Sequence, residues 1–274
     1  MANYTAADIK EIRESTGAGM LDVKKALDEA NGDKAKAVEL IRVKGLKGIA
    51  KREGRTASEG LIAVDIRDSE GGQTGTLVEL NSETDFVAKN DKFVALGDEA
   101  VAAAVESGAT EPEQLAETPF GEALTNAGAT MGEKILVRRI GRVSGEVVSS
   151  YMHRTNKDLP PQVGVLVSTD KAGAEVARDV AMHIAAFTPK FLSRDEVPEE
   201  TVAEERRIAE ETAKNEGKPE KALPKIIEGR LNGFFKENCL LDQAFAKDTK
   251  KSVGQVVEEA GGTLTGFLRF RVGS

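Results

Sequence analysis

The chain has 274 residues, a formal net charge of -8 and 31% charged residues. This length allows two or three small domains, and the acidic balance disfavours a general nucleic-acid or membrane-surface binder. A single cysteine, Cys239, excludes an internal disulfide framework and is typical of a reducing compartment. No apolar run has the length of a signal-peptide core or a membrane span, so we expect a cytoplasmic protein.

The first 55 residues are predicted to form a three-helix bundle followed by a basic linker. Thr5 and Asp8 have the spacing of a helix-capping pair, and apolar residues recur at helical spacing in three segments. We expect the third helix to end at a pair of glycines that starts with Gly45. A bundle of this size cannot bury every apolar group, so Met20 and Leu21, beside a glycine turn, belong either to its core or to an exposed docking surface.

A basic, glycine-punctuated run, KGLKGIAKREGR, covers residues 44–55. We interpret it as a linker. A nucleic-acid contact is the alternative, but no aromatic residue interleaves the charges and the whole chain is acidic. Nucleic acid is therefore not an expected partner.

Two related α+β units are predicted to follow. In the first, a strand at 60–67 and a returning strand at 73–81 lead into a helix over 92–105. A loop over 108–118, a further helix and a third strand at 135–140 complete the unit.

The same order recurs in the second unit. A strand at 145–153, a loop at 154–161, a strand at 163–169 and a helix at 174–187 repeat the pattern, which predicts a structural duplication. The strongly alternating segment 263–272 is predicted to return to the second sheet.

Residues 193–237 are dense in alternating charge and are predicted to form a two-helix hairpin inserted in the second unit. The second helix carries an apolar stripe that includes Leu223, Ile227 and Leu231. Either the first helix covers this stripe, or a partner or second copy does, which leaves open a homo-oligomer through the hairpin.

The predicted fold class is α+β, with an N-terminal helical bundle, a two-part core of antiparallel sheets and an inserted antiparallel helical hairpin. The corresponding parts of the chain are 1–55, 56–142, 143–192 together with 238–274, and 193–237.

A strand-to-helix corner at Thr84-Asp85-Phe86-Val87 is the most distinctive stretch. Thr84 is a good N-cap, and Asp85 would stand at the positive end of the helix. In one interpretation Phe86 fills the local core. In the other it protrudes as an anchor for a partner, because exposed aromatic side chains are favoured at interfaces.

Common catalytic motifs are missing from the sequence. There is no GxxxxGK[ST], no GxGxxG after a strand, no CxxC and no HExxH. Of the two histidines, His183 lies in an alanine-rich helix and is expected to be structural, whereas His153 is either a surface residue or a contact residue. We expect no catalytic residues, no metal ligands and no cofactor.

Several long motifs occur in an order that covers nearly the whole chain. They are TGAGMLDVKKAL at 16–27, NSETDFVAKN at 81–90, MHIAA at 182–186, GKPE with IIEGRLNGFF within 217–235, and VGQVVEEAGGTLTGFLRFRVG at 253–273. Together they resemble the bacterial elongation factor Ts family. The resemblance implies a non-catalytic guanine nucleotide exchange factor for elongation factor Tu, with a ubiquitin-associated-like N-terminal bundle.

The resemblance also implies roles for particular residues. The stretch Thr84 to Val87 would disturb the Mg²⁺ site of the partner, with Phe86 as a wedge and Asp85 pairing beside it. Six further residues would touch the same partner: Met20, Leu21 and Lys24 in the bundle, Met131 and Gly132 near the phosphate loop, and His153 elsewhere.

A second hypothesis comes from a different class of protein. The chain would be a scaffold, with RNA bound through the basic run at 44–55. Release of nucleotide from elongation factor Tu would be unaffected in that case, and binding to RNA would be salt-sensitive.

Overall fold

A computed structural model describes residues 3–274. The mixed helices and antiparallel sheets confirm the α+β class. Two three-stranded sheets pack face to face, and helices cover the outer face of each sheet. No helix in this part of the chain is both long and apolar enough to cross a membrane.

Three helices precede the first sheet: α1 (Ala6–Thr16), α2 (Met20–Glu29) and α3 (Lys34–Arg52). The predicted capping box at Thr5 is present. The prediction for the end of α3 was wrong, because the helix continues through Gly45 to Arg52 and absorbs most of the expected linker. Gly45 serves close packing, since a Cβ there would lie 1.8 Å from the Ala129 carbonyl oxygen.

The first sheet has the order β1-β2-β3, with every neighbour antiparallel. Its strands are β1 (Glu59–Ser69), β2 (Gly72–Ser82) and β3 (Leu136–Gly145). The helices α4 (Asp85–Ala88), α5 (Asp91–Ser107), α6 (Pro112–Ala116) and α7 (Pro119–Met131) lie between β2 and β3 in the chain. The prediction of an irregular loop over 108–118 missed α6, which has five residues.

The second sheet repeats this plan with the order β4-β5-β8. Its strands are β4 (Val147–His153), β5 (Val163–Thr169) and β8 (Leu264–Arg271). The predicted return of the last strand to this sheet is confirmed, because β8 pairs with β5. Between β5 and β8 the chain forms α8 (Ala174–Phe187), α9 (Glu199–Asn215), α10 (Leu223–Asn238), the two-stranded ribbon β6 (Ala244–Phe245) and β7 (Asp248–Ser252), and α11 (Val253–Glu259).

Each strand alternates its side chains between the sheet interface and the helices. In β1, Leu61 packs in the core under α5, whereas Ile62 packs in the interface between the sheets. Glycine permits the close approach of the sheets, since a Cβ on Gly164 would lie 2.5 Å from Ile62 Cγ2.

The helices α9 and α10 pack against each other. Their shared core contains Ala209, Ala213, Leu223, Ile227 and Leu231. The apolar stripe on α10 is thus covered by α9 within one chain, and the stripe by itself gives no reason to invoke a second copy.

Candidate functional site

The corner between β2 and α4 turns one aromatic side chain outward. Thr84 is extended and accepts a hydrogen bond from the Val87 N–H at 3.4 Å, which caps the single turn of α4. Val87 and Ala88 are buried in the core of the first unit. Phe86, on the same turn, is 80% exposed. The short helix α4 is thus fixed by its buried side chains, whereas the Phe86 ring that it carries is almost uncovered by the rest of the chain.

A charged pair lies beside this ring. Asp85 Oδ2 and Lys89 Nζ are 2.6 Å apart, and Lys89 Nζ is 5.5 Å from the centre of the Phe86 ring. The hydrogen bond from Lys89 lowers the pKa of Asp85 from its ordinary value. Both side chains remain partly exposed, and exposed pairs of this kind contribute little to stability. The Asp85 carboxylate can therefore exchange Lys89 for another cation.

Glu133, which lies just before β3, forms hydrogen bonds with the backbone and a side chain of the corner. Its carboxylate accepts hydrogen bonds from the N–H groups of Glu83 and Thr84, both at 3.0 Å, and from the Thr84 hydroxyl at 2.5 Å. In return, Glu83 Oε1 accepts from the Lys134 N–H at 2.6 Å. Neither Glu83 nor Glu133 is among the residues predicted from the sequence, where their one local signal is polarity beside the predicted contacts.

The glycine turn between α1 and α2 lies next to these elements. Gly17 has a φ of +78°, and a Cβ there would lie 3.0 Å from Met131 Cγ and 3.2 Å from Asn90 Nδ2. Immediately after the turn, Met20 and Leu21 are 58% and 70% exposed. Of the two interpretations of this pair, the exposed surface is the one observed.

Lys24, one turn further along α2, is also exposed. The first turns of α2 therefore present two large apolar side chains and a cation to solvent.

The side chains of two predicted contact residues are not exposed to solvent. Val87 and Met131 are each 6% exposed and belong to the core of the first unit. Each lies on the buried face of its helix, Val87 beside Ala88 on α4 and Met131 near Ala129 on α7. Gly132 ends α7 with a φ of +76° and is half-buried. Among the described residues, no heavy atom would lie within 4 Å of a Cβ placed at this position. A contact at this turn would use its backbone.

His153 lies apart from this group, at the end of β4 in the second sheet. It is exposed, and its Nδ1 is 3.1 Å from the Tyr151 hydroxyl. The loop at 154–161 folds back onto the first sheet, where the Ile62 N–H donates to the Pro161 carbonyl at 2.8 Å. The structure thus places His153 on a different element from the corner.

Among residues 3–274, no three or more His, Cys, Asp or Glu side chains are grouped so that they could hold a metal ion. The arrangement at the corner consists of an exposed ring, a carboxylate and a rigid support, which is a set of features suited to contact with a protein surface.

Comparisons with known proteins agree with the motifs. A family model described as "Elongation factor TS" matches residues 83–274. The chain is 64% identical to the elongation factor Ts of Beutenbergia cavernae, 58% to that of Micrococcus luteus and 59% to that of Pseudarthrobacter chlorophenolicus. Each comparison covers 100% of this chain and 100% of the relative. The chain therefore belongs to the elongation factor Ts family of translation elongation factors.

Proposed function

We propose that the protein is a guanine nucleotide exchange factor for elongation factor Tu in translation elongation. Membership of the family implies this role, and the full-length identity to the relatives supports it. The observation that carries the proposal for this chain is the exposed ring of Phe86 on a turn whose other apolar side chains are buried.

In the proposed mechanism, Phe86 wedges into the GTPase and displaces the elements that shape its Mg²⁺ and phosphate-loop region. A GTPase holds GDP through phosphate-loop amides, a lysine and Mg²⁺. Magnesium demands nearly ideal octahedral geometry, so a small shift of its surroundings weakens GDP binding. Asp85 pairs with a cation of the partner, while Thr84 and Val87 hold the turn that presents the ring.

No covalent step is required of the exchange factor. It binds the nucleotide-free GTPase more tightly than the GDP-loaded form, and by reciprocity bound nucleotide weakens the grip of the factor. GTP then binds the emptied site and displaces the factor.

Further contacts are proposed at three places. The exposed side chains of Met20, Leu21 and Lys24 form one contact with the partner, and the backbone at Gly132 forms another near the phosphate loop. His153 meets the partner at a separate point, because it lies on the second sheet.

The proposed parts of the molecule follow the predicted boundaries. For residues 1–55, of which 1 and 2 lie outside the described residues, we propose a ubiquitin-associated-like bundle in which α3 extends through most of the expected basic linker. Residues 56–142 and 143–192 with 238–274 form the two halves of the core, and 193–237 forms a helical hairpin inserted in the second half. The protein would act in the cytoplasm, where translation takes place.

Release of a fluorescent GDP from elongation factor Tu tests the proposal. Wild-type protein is expected to accelerate release, whereas Asp85→Ala and Phe86→Ala fold normally and accelerate it much less. If both variants match the wild type, the assignment of the wedge is wrong. If the wild-type protein itself has no effect on release, the exchange function is wrong.

A further inference from the structure

We propose that Glu133 is a positioning residue that keeps the β2–α4 corner in its binding-competent shape before the partner arrives. This inference rests on the proposed exchange function. It concerns a residue that does not belong to the wedge and lies about 50 positions along the chain from it.

The carboxylate of Glu133 closes a reciprocal set of hydrogen bonds between two chain segments. It accepts from two backbone N–H groups and one hydroxyl of the corner. The Glu83 carboxylate, which belongs to the corner, in turn accepts a hydrogen bond from the backbone N–H of Lys134. Arg55 adds a cation 3.2 Å from Glu83. Charge-assisted bonds of this type are roughly twice as strong as neutral ones.

The contact with Thr84 also sets the direction of the helix cap. The Thr84 hydroxyl donates its hydrogen to Glu133, so its lone pairs are left to accept from the Val87 N–H. Glu133 thereby orients the oxygen atom that caps α4 and places a negative charge near the positive end of that helix.

The corner needs this support because α4 is short. The helix has four residues, and a single helical turn is unfavourable to form without outside contacts. The exposed Phe86 ring contributes almost no packing within the chain. Among the described residues, Val87 and Ala88 anchor the turn in the core. The segment before them is held by the hydrogen bonds to Glu133 and by one from the buried Ser82 hydroxyl to the Thr84 carbonyl at 3.0 Å.

A corner that is ordered in advance loses little conformational entropy on binding. Without Glu133, binding of the partner would have to order residues 83–86 at the moment of contact. The hydrogen bonds of Glu133 also join the corner to the turn at Gly132. The two proposed contacts with the partner, at the corner and at this turn, therefore keep a fixed position relative to each other.

The test compares Glu133→Ala, Glu133→Gln and Glu133→Asp with Glu70→Ala, a control at the opposite end of the first sheet. GDP release is measured over a range of factor concentrations. We expect Glu133→Ala to raise the KM for the GDP-loaded partner about tenfold, as the loss of charged hydrogen bonds predicts, with kcat nearly unchanged. Phe86→Ala instead lowers kcat, because it removes the group that displaces the partner.

The conservative variants separate positioning from charge. Glutamine keeps the length and one acceptor oxygen for the two backbone N–H groups but loses the charge, so Glu133→Gln is expected to restore part of the lost affinity. Aspartate keeps the charge but is one methylene shorter, so Glu133→Asp is expected to behave like the alanine variant. The opposite order would overturn the positioning role, since it would show that charge alone matters.

Hydrogen exchange of the free protein gives a readout that does not depend on the partner. The amides of Glu83 and Thr84 should exchange at least about tenfold faster in Glu133→Ala, whereas the amides of β2 keep their protection. Unchanged exchange at these two amides, or a wild-type KM in Glu133→Ala alongside an impaired Phe86→Ala, would contradict the inference and leave the exchange function standing. Failure of Phe86→Ala to impair release would instead contradict the proposed function.

Discussion

The two halves of the core share one topology but treat the corner after their second strand differently. In each half, two strands form an antiparallel pair, helices follow, and a third strand returns beside the second. Each corner is also tied to the residues that precede its third strand, through Glu133 in the first half and Thr263 in the second. Only the first corner presents an aromatic ring to solvent.

The second corner is closed on itself. Asp170 accepts from the Gly173 N–H at 2.7 Å and donates its own N–H to the Thr263 carbonyl. Bonds from the backbone of Gly173 and Thr263 lower the pKa of the Asp170 carboxyl. This corner starts α8 without an exposed aromatic, so the topology does not require one. The exposure of Phe86 therefore calls for a functional explanation.

The largest expected effect comes from breaking the joint between the two halves. Gly164→Val would place atoms on Ile62 and Leu77 across the sheet interface. Overpacking of this kind costs about 3 kcal/mol, and the free energy of unfolding in urea measures it. As a control, Gly229→Ala in α10 meets no heavy atom within 4 Å in the described chain and should stabilise the protein by about 0.5–1 kcal/mol. Equal effects of the two substitutions would contradict the packing described here.

A second prediction concerns the buried thiol of Cys239 in the second half of the core. Cys239 is fully buried, and burial raises the pKa of its thiol from 9.0 to about 11. The thiolate is the reactive form, so the native protein should react with a thiol reagent at pH 8 at least about 100-fold more slowly than the urea-unfolded chain. Rapid reaction of the native protein would show that this region opens easily.

A third prediction uses His183, which links α8 to the segment after α10. Its Nδ1 accepts from the Ala246 N–H, so the neutral ring carries its proton on Nε2 and donates to Gln243 Oε1 at 2.8 Å. Burial lowers the pKa of His183 below its ordinary 6.5. Below pH 6.5 the unfolded chain therefore binds a proton that the native protein does not, and stability falls by up to about 1.4 kcal/mol per pH unit.

Urea unfolding of the wild type and His183→Gln between pH 7.5 and 5.5 measures this loss. The variant should show a flatter dependence on pH. Equal slopes would contradict the role of the neutral ring.

The smallest effect is expected at the exposed ion pair of the first corner. Lys89→Ala removes the main cause of the lowered pKa of Asp85, so the carboxyl pKa measured by NMR should rise towards its ordinary value. A carboxyl group whose pKa is lowered in the folded state stabilises the protein at pH values above its ordinary pKa. This contribution is lost as the pH falls through the lowered pKa. Because the group is exposed, the urea midpoint should stay unchanged. A large loss of stability would show that the pair is structural.

Local patterns in the sequence were enough to predict most elements. Alternation predicted the strands, and helical spacing with Thr84 as N-cap predicted the corner. The extent of α3 was not predictable, because Gly45 has the local character of a helix stop and its purpose is a contact with Ala129 far along the chain. The strand β7 is polar and lies on a short ribbon, so it lacks the alternation that marks a strand.

The candidate site was predictable in part. The resemblance pointed to the corner and to Met20 and Leu21, and exposure of these apolar side chains agrees with it. Burial of the Met131 side chain and the bonds of Glu133 depend on contacts between distant segments. Such contacts leave no periodic trace in the sequence.

The most direct test of the account is the affinity of the factor for elongation factor Tu with and without GDP. The wild type should bind the nucleotide-free form more tightly, and Phe86→Ala should reduce the ratio of the two affinities by at least about tenfold. Phe187→Ala, which removes an exposed ring of the second half, should leave the ratio unchanged. A Phe86→Ala variant with the wild-type ratio would contradict the claim that this ring drives exchange.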